Sequence, residues 1–161
     1  KSESFASSLL LNSLSFFEGV LSKSRPGSLN LFFSFSFNLS ALINGKSVWI
    51  KFVISSIQNL PLGIVDLYDF KPVHRRACVG VIVDKKFQNN GIAKKALVLL
   101  EDWAINRLGI YQFYANVAEE NLISIRLFEG LNYKKICLKK DWNFYNGKFN
   151  NEFTFQKIFK K

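Results

Sequence analysis

The stretch that most constrains this chain is residues 77–117, where a strand, a glycine-marked loop, a helix and a second strand follow in close succession. Positions 77–84 alternate, with Val79, Val81 and Val83 on one side and Cys78, Gly80 and Ile82 on the other. Both sides are apolar, which suits a strand in the middle of a sheet. Ala93, Leu97, Leu100, Ala104 and Leu108 then recur at helical spacing, and Gly109 follows where a left-handed residue closes a helix. Residues 110–117 return to strand character. A strand–helix–strand order within one sheet makes a right-handed crossover, so 77–84 and 110–117 are expected to run parallel.

The flanking segments add antiparallel strands to that unit. Asn44-Gly45 is a favoured type I′ pair between 40–43 and the β-rich run 47–55. Pro61 opens a further run, 62–70, expected to pair antiparallel with 47–55. Asn121 suits the N-cap of a short helix over 122–129, and Gly130 suits its C-cap. Residues 133–139 and 152–159 read as the last two strands, with Asn146-Gly147 turning a terminal hairpin between them. The predicted class is α/β (α+β): a single domain with a mixed central sheet flanked by helices.

Composition narrows the function classes. With 48% hydrophobic and 21% charged residues the chain is no disordered tail, and no run of about 18 apolar residues spans a membrane. The formal charge of +10 favours anionic partners such as nucleotide phosphates, nucleic acid or acidic surfaces. Cys78 and Cys137 cannot make a disulfide framework and fit a reducing compartment, hence a cytoplasmic location. They have no CxxC spacing and His74 is the single histidine, so no metal site is expected. The chain begins at Lys1 and holds no methionine, which reads as a trimmed or processed product. Residues 1–48 are mostly Ser, Leu and Phe, and read as a divergent N-terminal segment of the same domain, with the core at 49–161.

The loop between the first crossover strand and its helix reads Gln88-Asn89-Asn90-Gly91-Ile92-Ala93. A helix N-terminus offers unpaired backbone N–H groups to a phosphate, and Gly91 removes a Cβ where that phosphate approaches. Lys85, Lys86, Lys94 and Lys95 surround it with positive charge. The alternative is an ordinary strand-to-helix loop with a solvated basic face. The loop is neither a nucleotide P-loop nor a dinucleotide fingerprint, because the required glycines are missing.

The loop resembles the pyrophosphate loop of the GCN5-related N-acetyltransferases, Gln/Arg-x-x-Gly-x-Gly/Ala. Residues 63–70 with His74-Arg75-Arg76-Ala77-Cys78-Val79-Gly80 resemble the third and fourth strands of that family's spermidine and ribosomal-protein branches. Asn121-x-x-Ser124-x-x-Leu127-Phe128-Glu129-x-Leu131-Asn132-Tyr133 is similar to its helix beside the thioester, and Lys140-Asp141-Trp142 to the end of spermidine-type members. The resemblance covers about 49–160. It implies splayed parallel strands, acetyl-coenzyme A as cosubstrate, and direct transfer of acetyl from the thioester to a primary amine: a polyamine, another small amine or a protein N-terminus.

Residue roles are implied in the same way. The backbone of Val81, Ile82 and Val83 meets the pantetheine arm; Gln88, Asn89, Asn90, Gly91, Ile92, Ala93 and Lys94 hold the pyrophosphate. Asn121 either touches the arm or is a plain helix cap. Cys78 and Cys137 are read as core residues rather than nucleophiles. Two features depart from the family. Where many relatives place a tyrosine to protonate the leaving thiolate, this chain has Phe128, which has no proton to donate; Tyr114 or Tyr133 are the substitutes considered. The N-terminal acids usual in the family are missing, which leaves Asp66 and Asp69 as candidate bases. His74-Arg75-Arg76 is open to two readings, a phosphate or acidic partner, or a solvated turn. The hairpin around Trp142 and Phe144 reads as a cleft cover or as the surface of a homodimer or higher homo-oligomer. Phe128 and the N-terminal segment keep a non-catalytic coenzyme-binding relative as the alternative. A basic nucleic-acid-binding module is a weaker one, since charge alone supports it.

Overall fold

The computed structural model of the chain describes residues 31–37, 48–56, 58 and 60–159. Its elements in order are β1 (Leu31–Phe37), β2 (Val48–Ser56), β3 (Pro61–Lys71), β4 (Arg76–Val83), a 3-10 turn (Lys85–Phe87), α1 (Ile92–Leu108), β5 (Gln112–Ala118), α2 (Leu122–Glu129), β6 (Lys134–Tyr145) and β7 (Lys148–Ile158). Among the described residues the strands form one seven-stranded sheet in the order β1-β2-β3-β4-β5-β7-β6. The β4–β5 pair is parallel and every other pair antiparallel. The expected crossover is therefore present, with β4 in the centre of the sheet and Gly109 left-handed at φ 63° behind α1. The β2–β3 pairing and the Asn146-Gly147 hairpin also form as read.

Two local readings are corrected. The sequence pattern predicts no strand over 31–37, yet β1 pairs along its whole length with β2. Gly130 is the C-cap of α2 as read, though right-handed at φ −67°; Asn132, two residues on, is left-handed at φ 65°. Ile82 is 72% exposed rather than covered on both faces. The strand read at 40–43 and the Asn44-Gly45 turn lie outside the described residues.

Alternation along the strands separates two faces. On one, Val65, Leu67, Ala77, Val79, Phe113, Ala115 and Phe155 meet Ile92, Ala96, Leu97, Leu100 and Ala104 of α1, with Ile125 and Phe128 of α2 in the same buried cluster. The other face is polar. Gln112, Tyr114 and Asn116 alternate with the buried residues of β5. Thr154 Oγ1 donates to Asn116 Oδ1 at 3.0 Å, and Lys139 Nζ reaches Asn116 and Glu152 at 3.0 and 2.9 Å. Among the described residues one charge enters the core: Glu101 on α1 is buried and takes an ion pair of 2.6 Å from Lys157 on β7.

Candidate active site

The site begins where β4 and β5 part. They pair only at Arg76↔Gln112, Ala77↔Phe113 and Cys78↔Tyr114. Beyond Cys78 each strand follows its other neighbour: β4 stays in register with β3 to Val83, and β5 with β7 to Ala118. The edge of β4 facing β5 thus carries backbone groups with no strand partner, a place where an extended ligand with amides can complete the ladder. A cavity of about 220 Å³ opens there. Its wall is Tyr68, Val79, Gly80, Val81, Ile82, Asn116, Val117, Ala118, Asn121, Ser124 and Phe128.

Four residues singled out from the sequence therefore meet at one place: Val81, Ile82, Asn121 and Phe128. Val83 packs against the core beside it and is not on the wall. Asn121 caps α2, its Oδ1 accepting from the Ser124 N–H at 3.1 Å, and lines the cavity as well. Pattern reading gave no site role to Tyr68, Asn116 or Ser124, although Tyr68 and Ser124 stand inside the motifs that carry the resemblance. The residue-level signal for Tyr68 and Asn116 was their alternation onto the polar face, which places a residue on a face but does not say how far along a gap it reaches.

The loop that follows β4 is built by its own side chains. Asp84 accepts from the Lys86 N–H at 2.9 Å and starts the 3-10 turn. Gln88 stays exposed and folds back on the end of β4, its amide donating to Val83 O at 3.0 Å, and Asn90 donates to Phe87 O and Gln88 O at 3.3 and 3.2 Å. Asn89 and Gly91 are left-handed at φ 63° and 71°. Gly91 is the N-cap of α1 and no side chain caps the helix. A Cβ on Gly91 would meet no atom within 4 Å, so the space in front of the first turn is open. Lys94 is exposed there, Ala93 is half-buried, and Ile92 points into the core, so only its backbone is available to a ligand.

The acid–base candidates separate clearly. Neither Asp66 nor Asp69 is on the cavity wall. Asp69, left-handed at φ 48° in a β3 bulge, accepts from the Tyr114 hydroxyl at 2.5 Å and pairs with Lys71 at 3.1 Å. The Tyr114 hydrogen bond, helped by Lys71, holds its carboxyl below the usual range and makes it a weaker base. Asp66 has the opposite environment. Its Oδ1 is buried without a hydrogen-bond partner, and burial raises its pKa against a smaller opposing pull from Lys51. Tyr133 lies under Phe128, rings 5.1 Å apart, with its hydroxyl against Glu101 and off the cavity wall. Cys78 is fully buried and its thiol is pushed up to about 11 by burial, as fits a core residue. Cys137, expected in the core, is exposed instead, on β6. Arg75 binds Gly109 O at 2.6 Å and so ties the β3–β4 turn to the end of α1.

Asp66 gives a pH-dependent prediction. A carboxyl whose folded pKa is raised favours the folded state only while protonated, and that contribution is lost as pH rises from the unfolded value of 3.8 through the folded one. Asp66→Asn is therefore expected to melt higher than the wild type at pH 7, and the difference should close below pH 3.8. A pH series of melting curves checks it; a variant that melts lower at pH 7 would show that the carboxylate is held by a favourable partner.

Comparison with known proteins follows the same outline. The sequence profile of the Acetyltransferase (GNAT) family matches residues 31–133. The chain is 30% identical over 89 residues to the spermidine N(1)-acetyltransferase of Escherichia coli (strain K12), across 55% of this chain and 48% of that protein. It is 25% identical over 99 residues to the spermidine N(1)-acetyltransferase of Vibrio cholerae, across 62% of this chain and 57% of that protein. The chain spans about half the length of the curated relatives it matches. Among solved structures, the dodecameric spermidine N-acetyltransferase from Vibrio cholerae in its intermediate state aligns with a TM-score of 0.67 at 21% identity. That alignment covers 74% of this chain and 68% of the other, and the likeness is one of fold.

Proposed function

Because the chain belongs to the acetyltransferase (GNAT) family, we propose that it moves an acetyl group from acetyl-coenzyme A to a primary amine by direct attack of the amine on the thioester. The observation that carries this reading is the gap between β4 and β5, with the open first turn of α1 at its end. The unpaired edge of Val81, Ile82 and Val83 would take the pantetheine amides. The backbone over 88–94, flanked by Lys85, Lys86, Lys94 and Lys95, would take the pyrophosphate, and Asn121 would meet the arm from α2.

The amine would arrive from the polar face. Spermidine is the first acceptor to try, since the relatives are named for it. The net charge of +10 opposes a cation overall, while Asp66, Asp69 and Glu152 offer negative charge on the sheet near the gap. At pH 7 fewer than about one lysine-like amine in a thousand is neutral, so a base that removes the proton is worth roughly 10²-fold or more. Asp66 keeps the stronger basicity of the two aspartates and is the better candidate; Asp69 is already engaged by Tyr114. Exposed Trp142, Phe144 and Phe149 on the β6–β7 hairpin support self-association, and a relative is described as dodecameric. Among the described residues no helix is long and apolar enough to cross a membrane. The buried free thiol of Cys78 supports a reducing, cytoplasmic setting.

The test measures thiol release from acetyl-coenzyme A with spermidine, other small amines and peptides, together with the melting temperature in acetyl-coenzyme A. Turnover with a raised melting temperature is expected. A raised melting temperature without turnover of any amine would identify a non-catalytic coenzyme-binding relative. With both Asp66 and Asp69 changed to Asn, the rate should fall steeply at pH 7 and recover in part near pH 9. A wild-type rate across that range would remove both from the mechanism.

A further inference from the structure

Transfer of the acetyl group leaves a thiolate on coenzyme A, and the α2 position that faces the cavity is Phe128, with no proton to give. Tyr68 faces the same cavity from β3. Its cross-strand partner is Cys78, but its ring extends toward the next residue on that face, Gly80. A Cβ on Gly80 would stand 3.6 Å from the Tyr68 Cε1. The bare backbone at Gly80 thus gives the phenol its room beside the point where β4 leaves β5. Trp49 packs on the ring, with centroids 5.7 Å apart.

The hydroxyl is also available. Among the groups that act on it is the Cys78 thiol, a weak hydrogen-bonding group that a developing thiolate would readily displace. Burial first, and then Cys78, Tyr114 and Glu152, all raise the phenol's pKa, so it holds its proton at neutral pH. None of the other four of the chain's five tyrosines has this position. Tyr114 is engaged by Asp69, Tyr133 lies under Phe128 against Glu101, and Tyr111 and Tyr145 are off the cavity wall. Ser124 lines the cavity as well, from the first turn of α2.

We propose that Tyr68 donates a hydrogen bond from β3 to the leaving sulfur of coenzyme A and so stabilises the thiolate, a role that Phe128 on α2 has no hydroxyl to fill. The inference rests on the acetyl-transfer reading of this cavity. As the amine nitrogen bonds to the thioester carbon, the carbon–sulfur bond breaks and sulfur takes its electron pair. The Tyr68 O–H keeps its proton and donates a hydrogen bond to that sulfur. The thiolate then takes up, through water, the proton the amine sheds, so the products are the amide and the free thiol.

The test needs no acceptor. Coenzyme A is bound to the wild type, to Tyr68→Phe and to Tyr114→Phe, and ionisation of its thiol is followed against pH by ultraviolet difference absorbance. A phenol aimed at sulfur stabilises the thiolate, so the bound thiol should ionise at lower pH in the wild type than in Tyr68→Phe. A difference of about one pH unit, tenfold in the acid constant, is expected. Tyr114→Phe should titrate like the wild type. Equal titrations in the wild type and Tyr68→Phe, with coenzyme A bound to both, would overturn the role of Tyr68 and leave the acetyl-transfer reading standing. Failure of coenzyme A to bind the wild type would overturn that reading, and this inference with it.

Discussion

Gly91→Val is expected to abolish the rise in melting temperature that acetyl-coenzyme A gives the wild-type chain. A ligand at about 100 times its dissociation constant stabilises by about 2.7 kcal/mol, which for a chain of this length is roughly 5–10 °C. Gly91 is left-handed at φ 71° and ψ 8°, a conformation that a β-branched residue adopts only with strain of about 1–3 kcal/mol. Relief of that strain rotates the N–H groups of the first turn of α1 away from their common focus. A side chain there also meets no protein atom within 4 Å, so valine fills the space left for a phosphate. Gly91→Asn separates the two causes. Asparagine tolerates the left-handed region, so it should restore most of the intrinsic stability while still crowding the ligand. A full coenzyme shift in Gly91→Val would move the anion site away from this loop.

Gly63→Ala is expected to cost more in stability, although one methyl group is all it adds. A Cβ on Gly63 would lie 2.3 Å from Ile82 O and 2.9 Å from Val83 Cα. Both obstacles are backbone, so neither can swing aside. The strands must separate where Gly63 pairs with Val83 and Asp84 N–H donates to Leu62 O at 2.9 Å. A loss of about 3 kcal/mol is expected, at the upper end for overpacking, and roughly 6–12 °C in melting temperature. The displaced segment is the Val81–Val83 edge that faces the gap, so coenzyme binding should weaken in the same variant. A variant that melts within a degree of the wild type would show that β3 and β4 can part there freely.

Both substitutions act through backbone, which is why the positions matter more than their side chains. At Gly91 the requirement is written locally, by a loop that must turn into a helix start, and the sequence pattern marks it. At Gly63 it comes from a strand partner 20 residues away in sequence, and no local pattern announces it.

The same division holds across the chain. Alternation on both sides of β4, the spacing of α1, the caps at Asn121 and Gly109 and the Asn146-Gly147 turn are short-range properties of φ, ψ and side-chain period. They were legible in the residues, and with them came the crossover and the place of the anion loop. The tertiary structure decided what depends on register between distant segments. It set the length over which β4 and β5 pair, placed β7 between β5 and β6, and left Cys137 in solvent on β6. It joined Asp69 to Tyr114, Glu101 to Lys157, and brought Tyr68 past its partner Cys78 to Gly80. Each of these pairs lies 10 or more residues apart, and a slip of one residue in a strand would turn every such side chain to the other face. A chain's own pattern names the face a residue belongs to; only the packed sheet chooses what it meets there.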